Sequence, residues 1–193
     1  MLHKLLEDTD FILASRSPRR AFLLKHVGLS FKQIPSHIEE HPNEKLPNDF
    51  VLHYAQQKAE KILKNYPDSL IIGADTIVVL NNKIIGKPKH EKDAFTILQM
   101  LSAQCHEVVT GVALYHKDTV ITDFAVTKVY FYPISDDDIR EYIKTGEPMD
   151  KAGAYGIQGY GSQFIKKIEG CYFNVMGFPI PLFYEMCKQI IER

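Results

Sequence analysis

An apolar strand, Phe11-Ile12-Leu13-Ala14, runs into Ser15-Arg16-Ser17-Pro18-Arg19-Arg20 at the point where a helix begins. Ala21 to Val27 continues with apolar residues at Phe22, Leu23 and Val27 and stops before Gly28. Pro18 therefore falls near the first helical position, where its missing N–H is harmless. Such a junction aims backbone amides past the end of the strand. With the positive end of the helix dipole, two serine hydroxyls and up to three guanidinium groups, it suits a polyphosphate better than a neutral ligand. The plainer alternative is a serine-capped helix carrying solvated arginines.

A second chemical feature is Asp75, which follows the apolar run Leu70-Ile71-Ile72-Gly73-Ala74. An acid at the end of a buried strand must be paired, metal-bound or functional to offset its desolvation, or else be satisfied by nearby backbone amides. Glu39 and Glu40 lie in a polar loop; either is a candidate to join Asp75 around a hard divalent cation that bridges phosphates. Lys58 on a helix and Lys87 in a Gly-Lys-Pro turn read as surface residues unless a site faces them, in which case they would neutralise charge on a departing phosphate. Gly153 to Gly161 holds four glycines in nine residues, a loop whose backbone can approach a ligand closely or make a tight sheet connection.

The elements that must hold these residues alternate between strand and helix. Phe31 to Ile34 reads as a short strand, leading into the loop Ser36-His37-Ile38-Glu39-Glu40-His41-Pro42. Asn48 is the expected cap of a helix with apolar positions Val51, Tyr54, Ala55, Ala59, Ile62 and Leu63. Asp75-Thr76 is expected to interrupt the strand before Ile77-Val78-Val79-Leu80, and Asn81-Asn82 to turn the chain into Lys83-Ile84-Ile85. Ala94, Ile97, Leu98 and Leu101 mark a further helix. Glu107 to Tyr115 and Val120 to Tyr132 read as an antiparallel pair forming a second lobe. Ser135-Asp136-Asp137-Asp138 starts a helix that Gly146 ends. Phe164 to Ile168 reads as a strand and Ile180 to Glu192 as a closing helix.

The bulk properties narrow the class. A chain of 193 residues with 45% hydrophobic and 24% charged residues buries a proper core as one domain, here of two lobes over residues 1–193. A formal net charge of −1 supplies no general attraction to nucleic acid or an anionic membrane, so a basic site must be local. The first residues are too short and acidic for a signal peptide, and no apolar run approaches membrane-spanning length; the expected setting is the cytoplasm. Cys105, Cys171 and Cys187 are odd in number and lack a C-x-x-C pair, which argues against a disulfide framework or a thiolate zinc site and for reduced, buried thiols. The eight histidines are scattered, with no H-x-x-x-H on a helix.

The ordered set S-x-S-P-R-R, I-E-E, Q-x-K-A, G-A-D-T, G-K-P and D-K-A-G-A-Y-G-I-Q-G resembles the Maf family of nucleoside triphosphate pyrophosphatases over nearly the whole chain. The resemblance implies an α/β fold related to that of inosine triphosphate pyrophosphatase, with helices around a mixed central sheet and a deep cleft between two lobes. It implies hydrolysis of a nucleoside triphosphate to the monophosphate and pyrophosphate with Mg, Mn or Co, and a homodimer. By position, Asp75 matches the proton acceptor and a metal carboxylate, and Glu40 the second metal-associated acid. Lys58 and Lys87 match lysines that act on phosphate, and Ser15, Ser17, Arg19 and Arg20 the polyphosphate loop. Arg19, Thr76 and Gln158 look like the subgroup acting on dTTP and UTP, with modified pyrimidine triphosphates as further candidates. Thr76 and Gln158 can bond the imide edge of uracil or thymine, and a pocket made for that pattern leaves groups unpaired with cytosine.

Two other classes compete. The family's name derives from an association with septum formation, which suggests a non-catalytic regulator of cell division. A pure binder does not need Asp75 and Glu40 together with two lysines; a pyrophosphatase does. A nucleic-acid-binding module fits poorly, because the arginines cluster at one point and the chain lacks net positive charge.

Overall fold

Leu70 to Leu80 forms one uninterrupted strand, with Asp75 in its middle. The interruption expected at Asp75-Thr76 is absent, because neighbouring strands supply ladder partners and Lys58 supplies a cation, so the acid need not break the strand. The computed structural model describes residues 1–40 and 46–191. His41 and Pro42 of the polar loop and Glu192 of the last helix lie outside the described residues.

The elements are α1 (Leu2–Leu5), β1 (Phe11–Leu13), α2 (Pro18–His26), β2 (Lys32–Gln33), α3 (Pro47–Leu63), β3 (Leu70–Leu80), β4 (Lys83–Ile85), α4 (Glu91–Leu101), β5 (Cys105–His116), β6 (Thr119–Phe131), α5 (Asp136–Lys144), β7 (Ile165–Glu169), α6 (Tyr172–Met176) and α7 (Ile180–Ile191). Among the described residues the strands form a seven-stranded sheet in the order β2-β1-β3-β5-β6-β7, with β4 also paired to β3. The sheet is mixed: β1 runs parallel to β2 and β3, whereas β4 is antiparallel to β3 and β7 to β6. The chain is thus an α/β protein, as its alternating elements predict.

Two compact units can be distinguished. The first comprises Met1–Asp75, Thr110–Ala125 and Gly177–Arg193; the second comprises Thr76–Val109 and Val126–Met176. The expectation that the two long strands form a second lobe holds only for part of each, since Thr110–Ala125 belongs to the first unit. Strands of 12 and 13 residues are long enough to serve both.

In the first unit, Ile12, Ala14, Ile71, Ala113 and Tyr115 of the sheet pack against Ala55, Ala59 and Ile62 of α3. Two glycines set how close that helix comes. A Cβ on Gly73 would lie 2.0 Å from the Ala55 carbonyl oxygen, and one on Gly111 2.6 Å from the Val51 carbonyl carbon. The helix starts two residues earlier than expected, at Pro47 with Leu46 in place of Asn48 as its cap, because proline's fixed φ suits the first helical position. On α2 the buried residues are Arg20, Ala21, Leu23 and Leu24, whereas Phe22 is exposed and stacks on His26. The apolar stripe is therefore rotated from the expected Phe22-Leu23-Val27 face.

In the second unit, α4 and α5 cover a core that includes Val78, Leu80, Leu98, Val129, Phe131, Ile139, Tyr142 and Tyr155. Asn81 and Asn82 turn β3 into β4 with φ of 50° and 61°, as a two-residue hairpin turn requires. Ser135 caps α5 by accepting the Asp138 N–H at 3.1 Å, and Gly146 leaves it with φ 74°. His106 is buried against Phe131 and bonded to the Tyr155 hydroxyl at 2.8 Å; burial pushes its imidazole down to about 4, the state of a neutral core histidine. All three cysteines are free, but only Cys187 is buried: Cys105 is exposed and Cys171 half-buried, since they sit at strand and loop ends.

Candidate active site

Strand alternation puts Ile71, Gly73 and Asp75 on the face of β3 that meets α3. On α3 the buried positions are Phe50, Val51, Tyr54, Ala55, Lys58, Ala59 and Ile62, so Lys58 occupies a place where helical periodicity calls for an apolar side chain. The close approach at Gly73 lets that lysine reach the strand. Its Nζ lies 2.7 Å from Asp75 Oδ1 and 2.6 Å from Glu40 Oε1. Lys58 is thus a buried bridge between two acids from separate segments, and not the surface residue its type suggests.

Asp75 is 2% exposed, and its Oδ2 has no hydrogen-bond partner among the described residues. Burial raises its carboxyl above the ordinary value. Lys58 opposes that shift, Glu40 adds to it, and Arg20 opposes it weakly. A carboxylate held this way is a better proton acceptor than an exposed one. Its unpartnered, desolvated oxygen also lacks the compensation that a buried anion needs. Two carboxylates on one lysine, one with an unused oxygen, form an oxygen donor set suited to a hard divalent cation completed by water and phosphate oxygens. Among the described residues no group of three or more His, Cys, Asp or Glu side chains is arranged to hold a metal.

The loop after β1 is tied from several sides. Ser15 Oγ accepts the Ser17 N–H at 3.1 Å, and Ser17 Oγ accepts the Arg20 N–H at 3.4 Å, capping α2. Gln33 Nε2 donates to the Ser15 carbonyl at 2.9 Å and reaches the Ser17 carbonyl at 3.5 Å. Gln33 was not singled out from sequence, since a glutamine in a two-residue edge strand carries no distinguishing pattern.

Arg20 behaves differently from the other arginines. It is 8% exposed, and its guanidinium donates to the Gly177 carbonyl at 2.9 Å, the Ala74 carbonyl at 2.9 Å and Ser15 Oγ at 3.1 Å. Burial lowers its pKa, with the nearby Asp75 acting the other way. These bonds clamp the loop to the residue before Asp75. Arg19 is half-buried and Arg16 exposed on the same loop. The first unit therefore brings together Ser15, Ser17, Arg19, Arg20, Glu40, Lys58 and Asp75.

Thr76, Lys87 and Gln158 belong to the second unit. Thr76 shares a face of β3 with Val78, and a Cβ on Gly153 would lie 2.9 Å from Val78 Cγ2. The Gly153 N–H donates to the Gly86 carbonyl at 3.0 Å, which ties the Gly-Lys-Pro turn to the glycine-rich loop. Lys87 and Gln158 are both exposed.

Comparisons with known proteins agree with these motifs. The family described as Maf-like protein matches residues 10–190. A dTTP/UTP pyrophosphatase of Syntrophomonas wolfei is 48% identical over 178 residues, covering 90% of this chain and 94% of its own. One of Geobacillus sp. is 49% identical over 172 residues, covering 89% and 92%, and one of Aquifex aeolicus 44% identical over 182 residues, covering 93% and 94%. Among solved structures, the Ham1 proteins of Staphylococcus aureus and Coxiella burnetii share the fold at 14% and 15% identity; each has a TM-score of 0.50 and covers 81% of this chain and 80% of its own. With its motifs in order along the chain, and relatives matched over most of their length, this chain belongs to the Maf family.

Proposed function

We propose that this chain hydrolyses dTTP and UTP to the monophosphate and pyrophosphate with the help of a divalent cation, Mg, Mn or Co. The observation that carries the reading is the buried Lys58 bridge between Glu40 and Asp75, with Asp75 Oδ2 left unpartnered. The names of the relatives, each a dTTP/UTP pyrophosphatase, support the substrate class.

In this reading Asp75 orients a water molecule and takes its proton as the water oxygen bonds to phosphorus. The anhydride bond between the α- and β-phosphates breaks, and pyrophosphate leaves with the electron pair. Lys58 and Lys87 stabilise the charge gathering on the leaving group, where fixed cations act most strongly. Ser15, Ser17 and Arg19 hold the phosphate chain at the start of α2, and Arg20 fixes the loop against the Ala74 carbonyl. Glu40 and Asp75 would hold the cation, which when bound neutralises phosphate charge and lowers the pKa of water. Thr76 and Gln158 bond the imide edge of the pyrimidine.

The reading extends to one Maf-like domain of two lobes, residues 1–193, working as a homodimer in the cytoplasm. No described helix is long and apolar enough to cross a membrane. The test is to incubate the protein with UTP, dTTP and CTP, each with Mg²⁺, and to measure released pyrophosphate. Turnover of UTP and dTTP should exceed that of CTP by about tenfold or more. No pyrophosphate from either favoured nucleotide overturns the proposal.

A further inference from the structure

Glu147, at the start of the short 3-10 turn Glu147–Asp150, is half-buried, and the chemistry above makes no use of it. Its carboxylate is nevertheless the hub of the glycine-rich loop. Oε2 accepts the Tyr160 N–H at 2.8 Å, and Oε1 accepts the Gly161 N–H at 3.1 Å. Oε1 also accepts the Tyr142 hydroxyl at 2.9 Å, and the oxygen of that hydroxyl accepts the Gly156 N–H at 3.2 Å. One carboxylate and one phenol therefore anchor both ends of Gly156–Gly161, and Gln158 sits midway between the anchors.

The glycines show how tightly the clamp closes. Gly159 has φ +78°, and a Cβ there would lie 2.5 Å from Glu147 Oε2; a Cβ on Gly161 would lie 2.6 Å from the Tyr142 hydroxyl oxygen. Lys151 holds the carboxylate's own backbone, its Nζ donating to the Glu147 carbonyl at 2.6 Å. Tyr142 is 2% exposed, so the phenol is fixed by the core. An exposed glutamine on a glycine-rich segment has many orientations to lose on binding a base, and anchoring the backbone on either side removes in advance those that arise from backbone motion.

We infer that Glu147 is a positioning residue for base selection: with Tyr142 it pins the amides of Gly156, Tyr160 and Gly161 so that Gln158 is presented in one place to the pyrimidine edge. This rests on the reading of Gln158 given above. Glu147→Gln keeps the shape, but with its oxygen on the Tyr142 hydroxyl and the Gly161 N–H its NH₂ group opposes the Tyr160 N–H, which is left without an acceptor. kcat/KM for UTP should fall about tenfold, mostly through KM, with that for CTP little changed, so the UTP:CTP ratio contracts. Exchange of the Tyr160 and Gly161 amides should quicken. In a Gln158→Ala background the same substitution should leave the ratio where it was, because Glu147 acts through that side chain. Tyr142→Phe, which removes one anchor while keeping the ring, serves as a second variant if Glu147→Gln folds poorly, and should shift the ratio the same way. Equal losses for UTP and CTP, or additive effects with Gln158→Ala, overturn the inference. If the unsubstituted protein releases no pyrophosphate from UTP, the function reading fails instead. The clamp is then decided by amide exchange alone, and unchanged exchange in Glu147→Gln overturns it.

Discussion

Asp75 carries opposed demands. Its carboxyl stands above the ordinary value it has in an unfolded chain, raised first by burial and further by Glu40, with Lys58 and Arg20 pulling down. Below that unfolded value the acid is neutral in both states and burial is tolerated. As pH rises through the higher folded value, the buried charge takes stability away. Asp75→Asn has no charge to bury, and its carbonyl can still accept from Lys58. At pH 7 the variant should unfold at higher urea concentration, by about 1 kcal/mol, with the difference shrinking as pH falls toward the unfolded value. Pyrophosphate release should drop about 100-fold or more. A variant that is less stable than the parent at pH 7 would show that the Lys58 ion pair outweighs desolvation. At this scale much was legible: an acid in an apolar run and a lysine on an apolar stripe are both exceptions to their surroundings. Arg20 was less so, because nothing in Arg19-Arg20 says which guanidinium turns inward.

At the scale of elements, α3 and β3 make the site by touching. The helix supplies Lys58, the strand supplies Asp75, and Gly73 removes the side chain that would hold them apart. A Cβ there meets the Ala55 carbonyl at 2.0 Å, and backbone cannot yield as a flexible side chain can. Gly73→Ala should therefore cost about 3 kcal/mol in urea unfolding and pull Lys58 away from Asp75, lowering turnover beyond the stability loss. An alanine variant of parental stability would mean that the helix can retreat. Helical and strand periodicity foretold both elements, yet not the distance between them. The cap at Leu46, the exposed Phe22 and the continuous β3 differ from expectation because tertiary partners decide ends and faces once propensities are close.

For the molecule as a whole, a ligand that binds only the folded state must stabilise it. In Asp75→Asn, where turnover is suppressed, UTP with Mg²⁺ at roughly 100 times its Kd should add about 2.7 kcal/mol to stability. CTP at the same concentration should add less, and a chelator should remove most of the UTP effect while leaving the ligand-free melting temperature unchanged. Equal protection by CTP would remove the case for a base-reading Gln158. The independence from metal follows from the cation already present, since in this variant Lys58 pairs with the one remaining carboxylate, Glu40, without one.

The amino-acid sequence alone determined the family, the α/β order of elements and the identities of the chemical groups. Those reside in local residue types and in motifs whose order the chain preserves whatever its path. Only the folded arrangement decided that Lys58 bridges Glu40 and Asp75, that Arg20 braces the loop, and that Glu147 grips a segment more than ten residues downstream. Such contacts depend on backbone separations of a few ångströms between distant segments, which are set by glycine contacts and core packing and leave no spacing rule along the chain.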